Sequence, residues 1–217
     1  MDSFLDNLRL LDREAFFYLN DVARHSHFWR EFFHIFADYG IVLIVLGLIY
    51  LIVRNRINAF FAAALAMILS TIITFLIYLI WQRPRPFVTY ADVSKLAAHT
   101  SVNSFPSGHT FLSFAIAMVV LLYGHKKLGI LMFAIAILIA VSRVASGVHY
   151  PSDVIGGAAI GILSGILSYW FMESFEKFWE ENSAGSWEFK IFNFQFKMNV
   201  SISQCLKHFK FRFLNLF

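Results

Sequence analysis

Residues 106–123 read Pro-Ser-Gly-His-Thr-Phe-Leu-Ser-Phe-Ala-Ile-Ala-Met-Val-Val-Leu-Leu-Tyr: the polar tetrapeptide Pro106-Ser107-Gly108-His109 opens directly on an apolar run. A helix needs ~20 residues to cross ~30 Å of hydrocarbon, so this run spans a membrane only by drawing on its polar start. Outward from it lie four longer apolar stretches, at about 32–53, 58–81, 127–145 and 153–172. Lipid offers no partner to free backbone groups, so all five stretches are expected to be helices. The fold class that follows is all-α: a polytopic transmembrane helix bundle of about five spans with an amphipathic helix at its N-terminus.

Composition agrees. Of 217 residues, 59% are hydrophobic, 18% aromatic and 15% charged, against roughly 25% charged in a soluble domain. Twenty-six are Phe, many outside the apolar runs, which suits a body wrapped in lipid and headgroups. The net charge of +4 carries no basic stripe, so no nucleic-acid partner is expected. Cys205 is the single cysteine, which excludes an internal disulfide and a cysteine-based metal site. The first thirty residues hold Asp, Arg and Glu where a cleavable signal peptide would need an apolar core.

Three segments are expected. In residues 1–31, Phe4, Leu5, Leu8, Leu11, Ala15, Phe16 and Leu19 recur at helical spacing, with Asp6, Arg9, Asp12 and Arg13 between them. That pattern fits a helix lying on the membrane surface, or one packed on its own bundle. Residues 32–172 form the transmembrane domain. In residues 173–217, Phe192, Phe194, Phe196, Met198, Val200 and Ile202 alternate with polar residues, a strand period with no partner strand in sight. This tail is expected to be dispensable for chemistry.

Charge sets the orientation. Arg54 and Arg56, then His125, Lys126 and Lys127, then the lysines of the tail fall on one side of five spans. Excess Lys and Arg mark the cytoplasmic side. The connectors 82–106 and 146–152 then share the outer face, which predicts an extracytoplasmic site on a protein of the inner (plasma) membrane. Gly157, Gly161 and Gly165 sit one turn apart in the fifth span, which suits close approach of another helix, inside the bundle rather than at the seam of a homodimer.

Three polar stretches lie in those outer connectors. Pro106 and Ser107 suit a helix start, whose free N–H groups favour an anion, and Gly108 lets an oxygen approach the backbone beside His109. Arg143 lies within a span, where a guanidinium is costly and marks function. It is always charged and can grip phosphate with two donors. His149 and Asp153 are four residues apart, so a helical turn between them would put both on one face, with Asp153 orienting an imidazole nucleophile. Arg83 and Arg85 flank Pro84, and the prolines enforce an extended exit from the second span.

Together these stretches resemble the type 2 phosphatidic acid phosphatase superfamily of membrane phosphatases. Its pattern is Lys, six residues, Arg-Pro; then Pro-Ser-Gly-His; then Ser-Arg, five residues, His, three residues, Asp. The second part matches at residues 106–109 and the third at Ser142-Arg143, His149 and Asp153. The first matches at Arg85-Pro86, with Tyr78 in place of the Lys. The resemblance covers roughly residues 30–172. The stretch Arg-Pro-Arg-Pro-Phe-Val, the long loop after it and Ser-Phe-Pro-Ser before the His are most similar to bacterial undecaprenyl-diphosphatases of the bacitracin-resistance type.

The resemblance implies that His149 attacks phosphorus to form a phospho-histidine, that Asp153 orients it and that His109 protonates the leaving oxygen. Arg85, Ser107, Gly108 and Arg143 would bind phosphate oxygens, with Arg83 in a lesser part. By their location in the long outer loop, Lys95 and His99 are the candidates to supply the charge missing at Tyr78. No metal and no cofactor is implied. The expected substrate is a polyprenyl diphosphate, converted to the monophosphate within the recycling of the cell-wall carrier lipid. Phosphatidylglycerophosphate, phosphatidate or transfer of phosphate to a lipid sugar are the alternatives within the superfamily. A different class, an ion or proton transporter, would also place Arg and His in a membrane, but would string them through the bilayer.

Overall fold

The computed structural model describes residues 2–97 and 101–183. Among these residues seven helices run in chain order: α1 (Asp2–His25), α2 (His27–Val53), α3 (Ile57–Ile80), α4 (Pro86–Thr89), α5 (Gly108–Leu122), α6 (Lys126–Ala145) and α7 (Pro151–Ser183). Four of them, α2, α3, α6 and α7, are long and apolar enough to cross a membrane. The fold is the expected all-α bundle. The alternating stretch at 192–203, His99 and Cys205 lie outside the described residues.

The fifth span, α5, has 15 residues, about 22 Å at 1.5 Å per residue. It is too short to match the hydrocarbon, and it does not need to. Phe111, Phe114, Ala115, Ile116, Ala117, Val119 and Val120 are all buried, because α3, α6 and α7 surround the helix. The glycines of α7 make this possible. A Cβ on Gly157 would lie 2.9 Å from the Ser107 carbonyl oxygen, and one on Gly165 2.8 Å from Met118 Cβ. A Cβ on Gly161 would overlap the Phe111 carbonyl oxygen. The glycine seam is therefore taken up by α5 within the bundle.

At one end of the bundle α3 stops, α5 and α7 start and α6 stops. Hydrogen bonds tie these ends together: the Ser107 amide donates to the Asp153 carbonyl at 3.1 Å, and Tyr78 Oη donates to the Pro106 carbonyl at 3.1 Å. At the other end the charges of Arg54 and Arg56 bear on His125, so the basic connectors do share one side.

The N-terminal helix packs on the bundle. Phe16 and Ala23 are fully buried, and Phe16 meets Tyr150 with ring centroids 5.6 Å apart. Asn20 clamps the helix in register, donating to the carbonyls of Ala145 at 2.9 Å and Ser94 at 3.0 Å and accepting from the Ser94 amide at 3.1 Å. The buried stripe is thus Asp12, Phe16, Asn20 and Ala23, while Phe4, Leu8 and Leu11 stay exposed. Of the two expected placements the structure takes the packed one. The helix also ends earlier than 31, because Ser26 caps a new helix by accepting from the Trp29 amide.

Candidate active site

The extended exit from α3 is built as the prolines require. Arg85 is extended (φ −71°, ψ 155°) and Pro86 begins α4 at its first turn. The strand-like segment pairs back on the loop: the Arg85 amide donates to the Val102 carbonyl at 3.1 Å, and the Ser104 amide to the Arg83 carbonyl at 2.8 Å. Two residues apart on this extended segment, Arg83 and Arg85 leave the same face, and their guanidiniums then find different partners.

Arg85 runs inward and is 2% exposed. Its Nε donates to the Ser101 carbonyl at 2.7 Å, and its Nη1 to the Val148 carbonyl at 2.8 Å. The same Nη1 lies 3.0 Å from His149 Nε2. A guanidinium can only donate, so Nε2 is the unprotonated nitrogen and its lone pair faces Arg85. Among the described residues no carboxylate lies within ion-pairing distance of Arg85. Burial pushes its pKa down to about 10.

His149 follows a tight turn after α6. Gly147 there has φ +79°, and a Cβ would meet the Ser94 carbonyl oxygen at 2.5 Å, so glycine is required on both counts. The ring is 1% exposed. It has a hydrogen bond with the Ser104 backbone, and its Nδ1 is 3.6 Å from Asp153 Oδ2. The expected pairing of His149 with Asp153 is therefore a close electrostatic contact, beyond hydrogen-bond length. Asp153 Oδ2 accepts instead from the Tyr150 amide at 2.7 Å. Burial, then the charges of Arg85 and Arg143, hold the His149 imidazole well below its ordinary pKa. It is neutral at physiological pH.

Arg143, 1% exposed, comes from the last turn of α6. Its Nη1 donates to the Ala37 carbonyl at 3.1 Å and lies 3.5 Å from Asp38 Oδ1. Its Nε and Nη2, the edge that grips an oxyanion with two parallel bonds, have no hydrogen-bond partner among the described residues. His109 stands in the first turn of α5 and is partly exposed. The charges of Arg143, Asp38 and Arg85 bear on it, and it bears on His149 in turn, so the two histidines lie within electrostatic reach of one another. Ser107 caps α5 and its Oγ accepts from Thr110 Oγ1 at 3.0 Å. A Cβ on Gly108 would meet only Phe111, at 3.9 Å, so the space beside this backbone is open.

Arg83 departs from the expectation that it joins the phosphate binders. Its Nη1 donates to Asp153 Oδ1 at 2.8 Å and Ser152 Oγ at 2.6 Å, its Nη2 to Asp12 Oδ2 at 2.7 Å, and its plane rests on the Tyr150 ring. Two carboxylates already neutralise it. Tyr78, at the position of the family Lys, supports the carbonyl just before Ser107. Lys95 lies over the Phe87 ring at 4.3 Å.

Sequence reasoning missed two acidic residues. Asp12 and Asp38 supply carboxylates to Arg83 and Arg143. The signal was present in both cases. Asp12 is four residues before Phe16 and eight before Asn20, on the packed stripe of α1, although its place in the pattern read as polar filler. Asp38 sits within an apolar span, where an acidic side chain needs a partner.

The result is two buried guanidiniums, Arg85 and Arg143, whose charges bear on two imidazoles at one end of a membrane bundle, next to a helix N-terminus. Such a site takes an anion carried by a membrane-borne molecule; a cation would meet unneutralised Arg85. Known proteins give this class its family: residues 59–177 match the PAP2 superfamily, and the chain belongs to it. It is 35% identical to the bacitracin transport permease protein BcrC of Bacillus licheniformis, over 74% of this chain and 80% of that one. It is 28% identical to the undecaprenyl-diphosphatase BcrC of Bacillus subtilis, over 77% and 88%. The crystal structure of Aquifex aeolicus LpxE superimposes with a TM-score of 0.64 at 35% identity, covering 73% of this chain and 94% of that one. The chain is a multi-pass membrane phosphatase, a hydrolase of this superfamily.

Proposed function

We propose that this phosphatase removes the terminal phosphate of undecaprenyl diphosphate, at the extracytoplasmic face of the plasma membrane, through a phosphorylated His149. The observation that carries the reading is the pairing of Arg85 Nη1 with the lone pair of His149 Nε2 at 3.0 Å, with the charge of Arg143, whose Nε and Nη2 have no hydrogen-bond partner among the described residues, also bearing on His149. An intramembrane charge costs ~2.5–3.5 kcal/mol on insertion scales. Two buried guanidiniums with one carboxylate between them are best explained by an anionic substrate that completes the charge.

In the first step the Nε2 lone pair forms a P–N bond as the bridging P–O bond breaks. His109 gives its proton to the leaving oxygen, releasing undecaprenyl monophosphate. In the second step His109 takes a proton from water, the water oxygen attacks phosphorus, and the P–N bond breaks to free phosphate and His149. Arg85, Arg143, the Ser107 hydroxyl and the amides at Gly108 hold the non-bridging oxygens. A positioned acid–base group contributes ~10²–10⁴-fold, and donors fixed around a phosphoryl group in a dry site contribute at least comparably. Asp153 and the Ser104 backbone keep the proton on Nδ1, and Arg83 keeps Asp153 in place.

The extracytoplasmic face follows from the excess of Arg54, Arg56, His125, Lys126 and Lys127 at the opposite end. The substrate follows from the two BcrC relatives, one named for this diphosphate. The other is named a transport permease, but transport does not suit this arrangement. Among the described residues the fully buried charged groups, Arg85, Arg143, His149 and Asp153, cluster at one end, above an apolar core of Ile44, Ala115, Val119 and Met132.

The test is a panel of undecaprenyl diphosphate, phosphatidate and phosphatidylglycerophosphate, assayed in detergent with a chelator present. The expected outcome is that kcat/KM for the diphosphate exceeds the others at least about tenfold, the size of one good contact in a polar site. Preference for either glycerophospholipid would overturn the substrate, and a strict need for divalent metal would overturn the chemistry.

A further inference from the structure

We propose that Asp12, on the N-terminal helix, is a positioning residue of the active site: it fixes Arg83 against Asp153 and so sets the loop that carries His149. The inference rests on His149 and Asp153 acting as described above. Asp12 lies ahead of the segment that matches the family and belongs to none of the three motifs.

The geometry is specific. Asp12 has a side chain only 12% exposed, and both oxygens are engaged. Oδ2 accepts from Arg83 Nη2 at 2.7 Å and from Ser152 Oγ at 2.7 Å. Oδ1 accepts from the Ser152 backbone N–H at 2.8 Å, in the first turn of α7. A carboxylate from one helix thus caps another, where free N–H groups and the helix dipole favour negative charge. From Arg83 the chain continues to Asp153 Oδ1 at 2.8 Å, and from Asp153 Oδ2 to His149 Nδ1 at 3.6 Å.

Arg83 needs both carboxylates to stay where it is. Burial works against its charge, yet Asp153 and Asp12 together hold its guanidinium above the ordinary pKa. Fork geometry and the Tyr150 ring at 3.9 Å then leave it one orientation. With Asp12 neutral, Arg83 is free to turn toward Asp153 alone, and Asp153 leaves the place from which it faces Nδ1. Phe16 and Asn20, one and two turns further along the same face, lock α1 against Tyr150 and Ala145, so Asp12 arrives in fixed register.

The experiment uses the full chain in detergent, with Asp12→Asn, Asp12→Ser, Asp12→Glu, Arg83→Gln, the Asp12→Asn/Arg83→Gln pair and His149→Ala. Asp12→Ser is included because it removes the charge without placing an amide against Arg83. Removal of the charge is expected to lower kcat about 10–100-fold, the range seen when groups behind a reactive side chain are lost, with KM within about threefold. Asp12→Glu recovers most of the rate. The double variant is no slower than Arg83→Gln alone, because both act through one contact. Unchanged kcat in a folded, uncharged variant overturns the proposal, as do additive losses or a change confined to KM. Loss of turnover in His149→Ala with an unaffected Asp12→Asn would remove Asp12 and leave the mechanism; full turnover in His149→Ala would remove the mechanism itself.

Discussion

Arg83 and Arg143 are both arginines of the same site, yet their surroundings are opposite. Arg83 is tied to α1 and α7, with donors on two carboxylates and a hydroxyl and its face on Tyr150. Arg143 is tied to α2 through one carbonyl and one carboxylate at 3.5 Å, and its bidentate edge is unoccupied. Arg85 resembles Arg143: it is buried, and among the described residues its donors meet carbonyls and His149. One cationic cluster in the sequence is therefore two regions in space: Arg83 is neutralised by two carboxylates, and Arg85 and Arg143 are the guanidiniums proposed to bind phosphate.

Substitution separates the two. Arg143→Ala is expected to lower kcat/KM about 10²–10³-fold, the loss typical of one fixed donor to a developing oxyanion. Arg143→Lys stays well below wild type, because an ammonium keeps the charge and loses the fork. Arg83→Lys should cost about tenfold or less, mostly in kcat, since a point charge can still bridge Asp12 and Asp153. Steady-state kinetics on the three proteins checks the order. Equal losses at both arginines would erase the distinction.

A smaller effect concerns pH. His149 is held below the ordinary imidazole pKa, so the neutral nucleophile persists as pH falls. Formation of phosphoenzyme from an activated aryl phosphate, which needs no proton from His109, should keep its rate down through pH ~6.5 and decline only below it. Arg85→Gln removes a nearby positive charge that disfavours the imidazolium. It should therefore move that decline to higher pH while lowering the rate overall. A decline centred above 6.5 in the unmodified protein would mean His149 is not the titrating nucleophile.

Much of this was legible in the sequence. The five apolar runs are five helices, four of them long enough to cross a membrane and α5 shorter and enclosed by its neighbours. The spacing of Ser142-Arg143, His149 and Asp153, and the polar start of α5, brought the motif residues to one end. Less legible was the fate of each charge. Arg83 and Arg85 are two residues apart, flank one proline and leave the same face, yet one reaches Asp12 and Asp153 and the other His149. Asp12 and Asp38 were visible as residues but not as partners, since ion pairs between helices leave no local pattern. The placement of α1 was open for the same reason: its exposed Phe4, Leu8 and Leu11 and its packed Phe16 and Ala23 read as one amphipathic helix. The close contact of His149 with Ser104 depends on a loop that periodicity cannot describe.

The central claim is that His149 Nε2, facing Arg85 and the open edge of Arg143, receives the phosphoryl group. The direct measurement is mass spectrometry of His109→Ala protein quenched during reaction with an aryl phosphate that needs no protonated leaving group. The account predicts phosphate on the peptide carrying His149, and none when His149→Ala is added. Phosphate on any other residue, or turnover that continues in the double variant, would contradict it.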